Sequence, residues 1–200
     1  MGNKSKGSTF ERGVAVKISE WWTSGKRSDI YWRSQTSGAR ATIRHKKNKE
    51  TFGQAGDIQA VDPIGQPLMD VFTIELKKGY SEQSFFNMME MKPTSAQQMW
   101  EKFYLQVTGD MKKAKAVSWL LIWQRDRKEP MIYTSPKIMN LLKEAGANLR
   151  FPYLKGKFAL KSGKIISVFV CKLDDFLKQV KPKHIKKVLK NERDQKSRWA

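Results

Sequence analysis

The feature that most constrains the fold is a segment of alternating character at residues 71–77. Its apolar and polar side chains alternate, and this period of two predicts a half-buried β-strand. The apolar set is Phe72, Ile74 and Leu76, and the polar set is Thr73, Glu75 and Lys77. Upstream, residues 56–61 predict a second strand, and the Pro- and Gly-containing residues 62–67 predict the loop of a hairpin.

Two carboxylates would meet in such a hairpin. If it is centred near Gln66, Asp57 and Glu75 lie opposite each other on adjacent strands, within about 5 Å at Cβ. Like charges this close repel each other, and a hard divalent cation is the usual reason for a protein to keep them together. Lys77 follows two residues later on the same face. The alternative is a solvent-facing strand with incidental charges.

The charge of the chain predicts a polyanionic partner. Among 200 residues, 39 are basic and 19 acidic, for a net charge of +20, which is far outside the ordinary range. Of the four quarters of the chain, only residues 51–100 hold more acids than bases, and that quarter contains Asp57 and Glu75. A membrane surface is the weaker alternative, because no long basic amphipathic helix with a clean apolar face is evident.

The remaining composition indicates an intracellular, soluble protein. Cys171 is the single cysteine, so neither a disulfide framework nor a cysteine metal site is expected. No stretch approaches the roughly 18 apolar residues of a membrane span, and the first residues lack a hydrophobic signal region. We therefore expect a cytoplasmic location and no membrane partner.

Residue periodicity predicts one domain at residues 9–181, preceded by a flexible basic arm at 1–8 and followed by a basic helix or tail at 182–200. The almost continuous apolar run at 116–123 predicts a central strand that is covered on both faces. The other predicted helices are 9–22, 94–113, 136–145 and 174–180, and the other predicted strands are 29–33, 130–134, 149–153, 158–160 and 165–173.

Four elements in order resemble the PD-(D/E)XK nucleases of the restriction-endonuclease-like fold. Gly56-Asp57 stands where the family pattern has Pro-Asp, and Glu75-Leu76-Lys77 stands where it has (D/E)-x-K. Phe10-Glu11-Arg12 and the stretch 33–38 resemble the Holliday-junction-resolvase branch. The resemblance covers residues 8–78 and implies an α/β fold with an αβββαβ core, in which helices flank a central mixed sheet.

The resemblance also implies roles for individual residues. Asp57, Glu75 and the backbone carbonyl of Leu76 would bind Mg²⁺ or Mn²⁺. Lys77 would orient or deprotonate the attacking water, or stabilise charge on the phosphate. Glu11 would contact the metal through water, whereas the alternative is that it completes a helix-capping box with Ser8.

The residues after the first predicted strand are candidates for contacting DNA. Hydroxyls could donate hydrogen bonds to phosphate and arginines could attract it; the candidates are Arg33, Ser34, Thr36, Ser37, Arg40 and Arg44. A solvated basic loop is the alternative.

The expected function is that of a phage-type, metal-dependent DNA endonuclease that cuts branched DNA as resolvases do. A single domain without a separate reading module favours recognition of backbone and shape over base sequence. A homodimer would suit paired cuts, although no residue pattern requires one. The alternative is a non-catalytic nucleic-acid-binding protein, whose basic loops and C-terminal segment make the contacts and whose acids are structural.

Overall fold

The computed structural model describes residues 4–34, 55–80 and 98–197. The elements in chain order are α1 (Lys4–Trp22), β1 (Tyr31–Arg33), β2 (Ile58–Ala60), a 3₁₀ turn (Pro63–Gly65), α2 (Gln66–Val71), β3 (Phe72–Lys78), α3 (Met99–Ala114), β4 (Ser118–Gln124), β5 (Met131–Thr134), α4 (Pro136–Glu144), β6 (Tyr153–Ala159), β7 (Ile165–Lys172), α5 (Leu173–Gln179) and α6 (Pro182–Ser197).

A five-stranded mixed sheet forms the centre of the fold. Its strand order is β3-β4-β5-β7-β6; β3 and β4 are parallel, and the other neighbouring pairs are antiparallel. Every residue of β4 except the last is buried, which confirms the central strand predicted from the apolar run at 116–123. The α/β class and the mixed sheet flanked by helices are confirmed.

Each face of the sheet carries its own apolar core. On one face, α1, α2, α4, α5 and α6 bury residues against Ile74, Leu76, Leu120 and Ile122. On the other face, α3 packs Trp100, Phe103 and Val107 against residues that include Trp119, Leu121 and Trp123. Glu75 is paired in register with Leu121, so its side chain lies on the face that α3 covers.

The hairpin predicted between residues 56–61 and 71–77 is wrong. β2 pairs antiparallel with β1, in a separate two-stranded sheet, and the 3₁₀ turn and α2 occupy the intervening residues. Pro and Gly are common in loops, but Pro also favours the first turn of a helix. Here Asp62 caps the 3₁₀ turn by accepting a hydrogen bond from the Ile64 N–H, and Leu68 and Val71 of α2 are buried.

The first helix begins earlier than predicted. α1 starts at Lys4, so residues 4–8 of the segment predicted as a flexible basic arm are helical. A capping box requires its Ser at the helix boundary, where the first N–H groups lack partners. Ser8 lies inside α1, and its Oγ accepts a hydrogen bond from Arg33 Nη1 at 2.7 Å. The capping interpretation of Glu11 is therefore wrong.

One of the C-terminal strands also differs from expectation. The strand predicted at 149–153 is absent except for Tyr153, with which β6 begins and then pairs with β7 along its whole length. The basic C-terminal segment forms α6 as far as Ser197, and α6 packs against α2 with Ile185 and Val188 buried. None of the described helices combines the length and apolar composition needed to cross a membrane.

Candidate active site

The structure brings Asp57 and Glu75 together at the free edge of β3. The Asp57 N–H donates to the Ile74 carbonyl at 2.8 Å, and the Leu76 N–H donates to Asp57 Oδ2 at 2.8 Å. β3 is the edge strand of its sheet, so Asp57 engages backbone groups that no neighbouring strand takes. Asp57 thus reaches Glu75 by packing against the edge of β3 and not by way of a hairpin.

Gly56 makes this close approach feasible. Its φ is +84°, and a Cβ atom at this position would lie 2.5 Å from the Ile74 carbonyl oxygen. Proline holds φ near −65° and has no access to this conformation. The backbone geometry therefore explains why Gly56 stands where the family pattern has Pro.

Glu75 and Lys77 form a hydrogen-bonded group with Gln106 of α3. Lys77 Nζ lies 2.5 Å from Glu75 Oε1, and Gln106 Nε2 donates to the same oxygen at 2.5 Å. Lys77 Nζ also donates to Gln106 Oε1 at 3.2 Å and lies 5.1 Å from the centre of the Phe103 ring. The side chains of all three members therefore have defined positions relative to one another.

Burial makes this group electrostatically unusual. Glu75 is 1% exposed, and burial, followed by the charge of Asp57, raises the Glu75 pKa to about 8. Burial also raises the pKa of Asp57. For Lys77, burial opposes the charged form, but the carboxylates of Glu75 and Asp57 outweigh it and raise the pKa. The carboxylate pair therefore binds protons more tightly than exposed acids would.

Glu11 and Arg33 lie beside the carboxylate pair. Burial and the nearby charge of Asp57 raise the pKa of Glu11, and Arg33 Nε lies 3.1 Å from Glu11 Oε2. Arg33 thus pairs with an acid and with Ser8, and the structure places its guanidinium against α1. Ser34 is buried, and its N–H donates to the Asp57 carbonyl at 2.7 Å. The other predicted DNA-contacting residues, Thr36, Ser37, Arg40 and Arg44, lie outside the described residues.

Sequence reasoning missed Gln106. The residue lies three positions after Phe103 and one before Val107, both of which α3 buries. A polar amide that borders an apolar helical stripe was the available signal. Without the fold, nothing indicated that this stripe packs over Glu75, 31 residues earlier in the chain.

The donor set fits a hard divalent cation. Glu75 Oε2 is buried and lacks a hydrogen-bond partner, as does Thr73 Oγ1 on the same face of β3. In a strand, the N–H and C=O of one residue point to the same edge, so the Leu76 carbonyl emerges on the edge that Asp57 contacts. Within residues 4–34, 55–80 and 98–197, no three His, Cys, Asp or Glu side chains form a metal-binding group.

Comparison with known proteins supports the same interpretation. A family model described as "Phage putative PDDEXK endonuclease" matches residues 2–187. No curated protein matches the chain, and no solved structure matches it. The match covers most of the chain, including β3, its acid-x-lysine triplet and the sheet behind them. The chain therefore belongs to this phage PD-(D/E)XK endonuclease family.

Proposed function

We propose that this protein is a DNA endonuclease that uses Mg²⁺ or Mn²⁺ to hydrolyse phosphodiester bonds, with a preference for branched DNA. The observation that carries the proposal is the buried pair of carboxylates, Asp57 and Glu75, beside Lys77 in a protein of net charge +20. Family membership supports the nuclease activity.

Asp57, Glu75 and the Leu76 carbonyl would hold the cation. The Glu75 Oε2 atom without a hydrogen-bond partner and the mutual repulsion of the two carboxylates support this assignment. When bound, a divalent cation polarises a phosphoryl oxygen and lowers the pKa of water. Glu11 would bind water next to this group, as the resemblance implies, and the charge of Asp57 contributes to its raised pKa.

Lys77 would stabilise the charge that builds on the phosphate. Its ammonium contacts Glu75 and Gln106, and these two acceptors hold it next to the carboxylates. A positioned cation in a partly buried site interacts more strongly with developing negative charge than it would in water. Gln106 contributes by binding Glu75 with its amide N–H and Lys77 with its amide oxygen.

Backbone and shape recognition would direct the enzyme to branched DNA. The excess of basic residues attracts phosphates regardless of base sequence, and the resemblance at Phe10-Glu11-Arg12 to resolvases favours junctions. Two copies of the chain would make paired cuts, and we infer a homodimer for that reason alone. The cytoplasm is the expected site of action.

The test is cleavage of linear, flapped and four-way DNA, with Mg²⁺, with Mn²⁺ and with neither. We expect metal-dependent cleavage that is fastest on four-way DNA. The Asp57→Ala variant should bind DNA and not cleave it, because phosphate affinity depends on lysines and arginines. Equal rates on linear and four-way DNA would remove the structural preference. A folded wild-type protein that cleaves nothing would instead support the non-catalytic DNA-binding alternative.

A further inference from the structure

One aromatic side chain of the two-stranded sheet is exposed next to the candidate active site. Among the six tryptophans within the described residues, only Trp32 is exposed, at 43%. Trp32 of β1 pairs with Gln59 of β2, and the Ser34 N–H donates to the Asp57 carbonyl, which continues the same register. Trp32 and Asp57 are therefore diagonal neighbours across the two strands. Their Cα atoms are about 7–8 Å apart in this arrangement.

The residues on either side of Trp32 are fixed against α1. The ring of Tyr31 lies 6.1 Å from that of Trp22 in α1, and Arg33 pairs with Glu11 of the same helix. Because successive side chains of a strand point to opposite faces, Trp32 projects from the face remote from α1. The position of its backbone relative to the candidate active site is set by these two neighbours.

The Glu75 side chain also points away from α1. Ile74 and Leu76 of β3 belong to the core that α1 covers, and Glu75 lies between them in the strand, so its side chain points to the other face. Trp32 and Glu75 are thus both directed away from α1, with Asp57 between their strands. The exposed ring and the candidate metal ligands lie on neighbouring parts of one side of the molecule.

The exposed area and the local charge favour a nucleobase over a protein partner. At 43% exposure, Trp32 presents on the order of 100 Å². Even with Val61, which is 55% exposed, this is well below the roughly 800 Å² that each partner buries in a stable protein interface. Residues 35–54, which lie between β1 and β2 in the chain, contain five bases and one acid. A basic segment next to an exposed ring suits a polyanion that carries flat apolar groups.

We propose that Trp32 stacks on an unpaired nucleobase of DNA beside the bond that is cut. This inference rests on the proposed nuclease function and names a residue that would give it a preference for flaps and branches. Every base has a π face, so an aromatic ring binds unpaired nucleotides without reading their sequence. Bases inside an intact duplex are stacked on each other and must be extruded before another ring can reach them. Trp32 therefore discriminates by DNA structure.

The test measures metal-free affinity for a duplex with a single-stranded flap and for a blunt duplex of equal length. Trp32→Ala removes the ring, and Trp32→Phe keeps an aromatic one. The control, Tyr153→Ala, removes an aromatic side chain that is 55% exposed on β6, at the sheet edge opposite β3. 2-Aminopurine in the flap, next to the junction, reports stacking directly because stacking quenches its fluorescence. Urea unfolding and the mass in solution check the fold and the oligomeric state.

We expect Trp32→Ala to weaken flap binding by about 5- to 100-fold, which is the effect of losing one stacked base. Its affinity for the blunt duplex should change by less than about threefold, and its salt slope should stay the same, because no cation is removed. Trp32→Phe and Tyr153→Ala should bind the flap within about threefold of the wild type.

Unchanged flap affinity in Trp32→Ala would overturn the inference, as would an equal loss on the blunt duplex or in Tyr153→Ala. Unquenched 2-aminopurine with the wild-type protein would also overturn it, whether or not a variant folds. A changed mass in solution for Trp32→Ala would assign this side chain to a contact between copies of the chain instead. Cleavage is measured separately with Mg²⁺ and Mn²⁺. Absence of wild-type cleavage would count against the nuclease function, while the metal-free affinities would still decide whether Trp32 stacks on a base.

Discussion

Gly56 shows how one residue positions the candidate active site. Its positive φ and its contact with the Ile74 carbonyl bring Asp57 onto the edge of β3. The sequence alone presents Gly56 only as a departure from the Pro of the family pattern. The structure shows that Pro would be incompatible here, because its ring fixes φ at a negative value.

The first prediction compares Gly56→Ala with Gly25→Ala. Gly25 has a similar φ of +83°, but nothing lies within 4 Å of a Cβ at that position. An Ala in the left-handed conformation destabilises each variant by about 1–2 kcal/mol, and only Gly56→Ala adds a clash with the backbone. We expect Gly25→Ala to keep its cleavage rate. Gly56→Ala should be the less stable variant in urea unfolding and should lose single-turnover cleavage, because Asp57 is displaced. Equal stability and equal cleavage in the two variants would contradict this role.

The second prediction concerns the pH dependence of stability through Glu75. Its pKa is about 8 in the folded protein, against an ordinary value of 4.5, so the folded state binds the proton more tightly than the unfolded state. Its contribution to stability is therefore complete below about pH 4.5 and is lost as pH rises through about 8. The loss amounts to about 1.4 kcal/mol for each pH unit over which only the folded state holds the proton.

The measurement is urea unfolding of metal-free protein at pH 5, 6.5 and 8. Glu75→Gln keeps the shape of the side chain and removes its titration, so its unfolding free energy should fall less with rising pH than that of the wild type. The comparison between the two proteins cancels the titrating groups that do not interact with Glu75. Asp57, whose charge helps to raise the Glu75 pKa, remains part of the measured difference. Parallel pH profiles would show that Glu75 is ionised throughout this range.

At the scale of elements, local patterns predicted the strands better than their pairing. The alternation at 71–77 and the apolar run at 116–123 correspond to β3 and β4, because side-chain periodicity is a property of the segment itself. The burial of β3 on both faces was not predictable from its alternation. It arises because α3, which follows some 30 residues later in the chain, covers the polar face of β3 that includes Glu75.

For α6, too, the local pattern predicted the element but not its packing. Its sequence is dominated by charge and predicts a basic helix or tail that follows the domain at residues 9–181. The structure buries Ile185 and Val188 in the core beside α2 and α4. The few apolar residues of this segment therefore matter more for the fold than its many lysines.

The third prediction compares a buried and an exposed position of α6. Val188→Ala leaves a cavity in the core and should lower the unfolding free energy by about 1–3 kcal/mol. Lys187→Gln, one residue earlier and exposed, should change it by no more than about 0.5 kcal/mol. Urea unfolding of both variants is the measurement. If Val188→Ala were as stable as Lys187→Gln, α6 would contribute little to the fold.

At the scale of the whole molecule, the two candidate metal-binding carboxylates are buried, whereas many lysines are exposed. Asp57 and Glu75 are almost completely excluded from solvent, while most lysines of α6 are exposed. The surface field therefore attracts polyanions at long range. The buried carboxylates act only on what reaches the edge of β3, where removal from water strengthens their interaction with cations.

The sequence by itself determined the central strand and the acid-x-lysine triplet, because these follow from local periodicity. The resemblance to PD-(D/E)XK nucleases implied the α/β class, and the total charge predicts a polyanionic partner. Only the tertiary structure decided which strand pairs with which, how Asp57 reaches β3, and that Gln106 contacts both Glu75 and Lys77. It also turned Arg33 toward Glu11 and placed α6 in the core. These features depend on contacts between residues far apart in the chain, whose free energies no local pattern records.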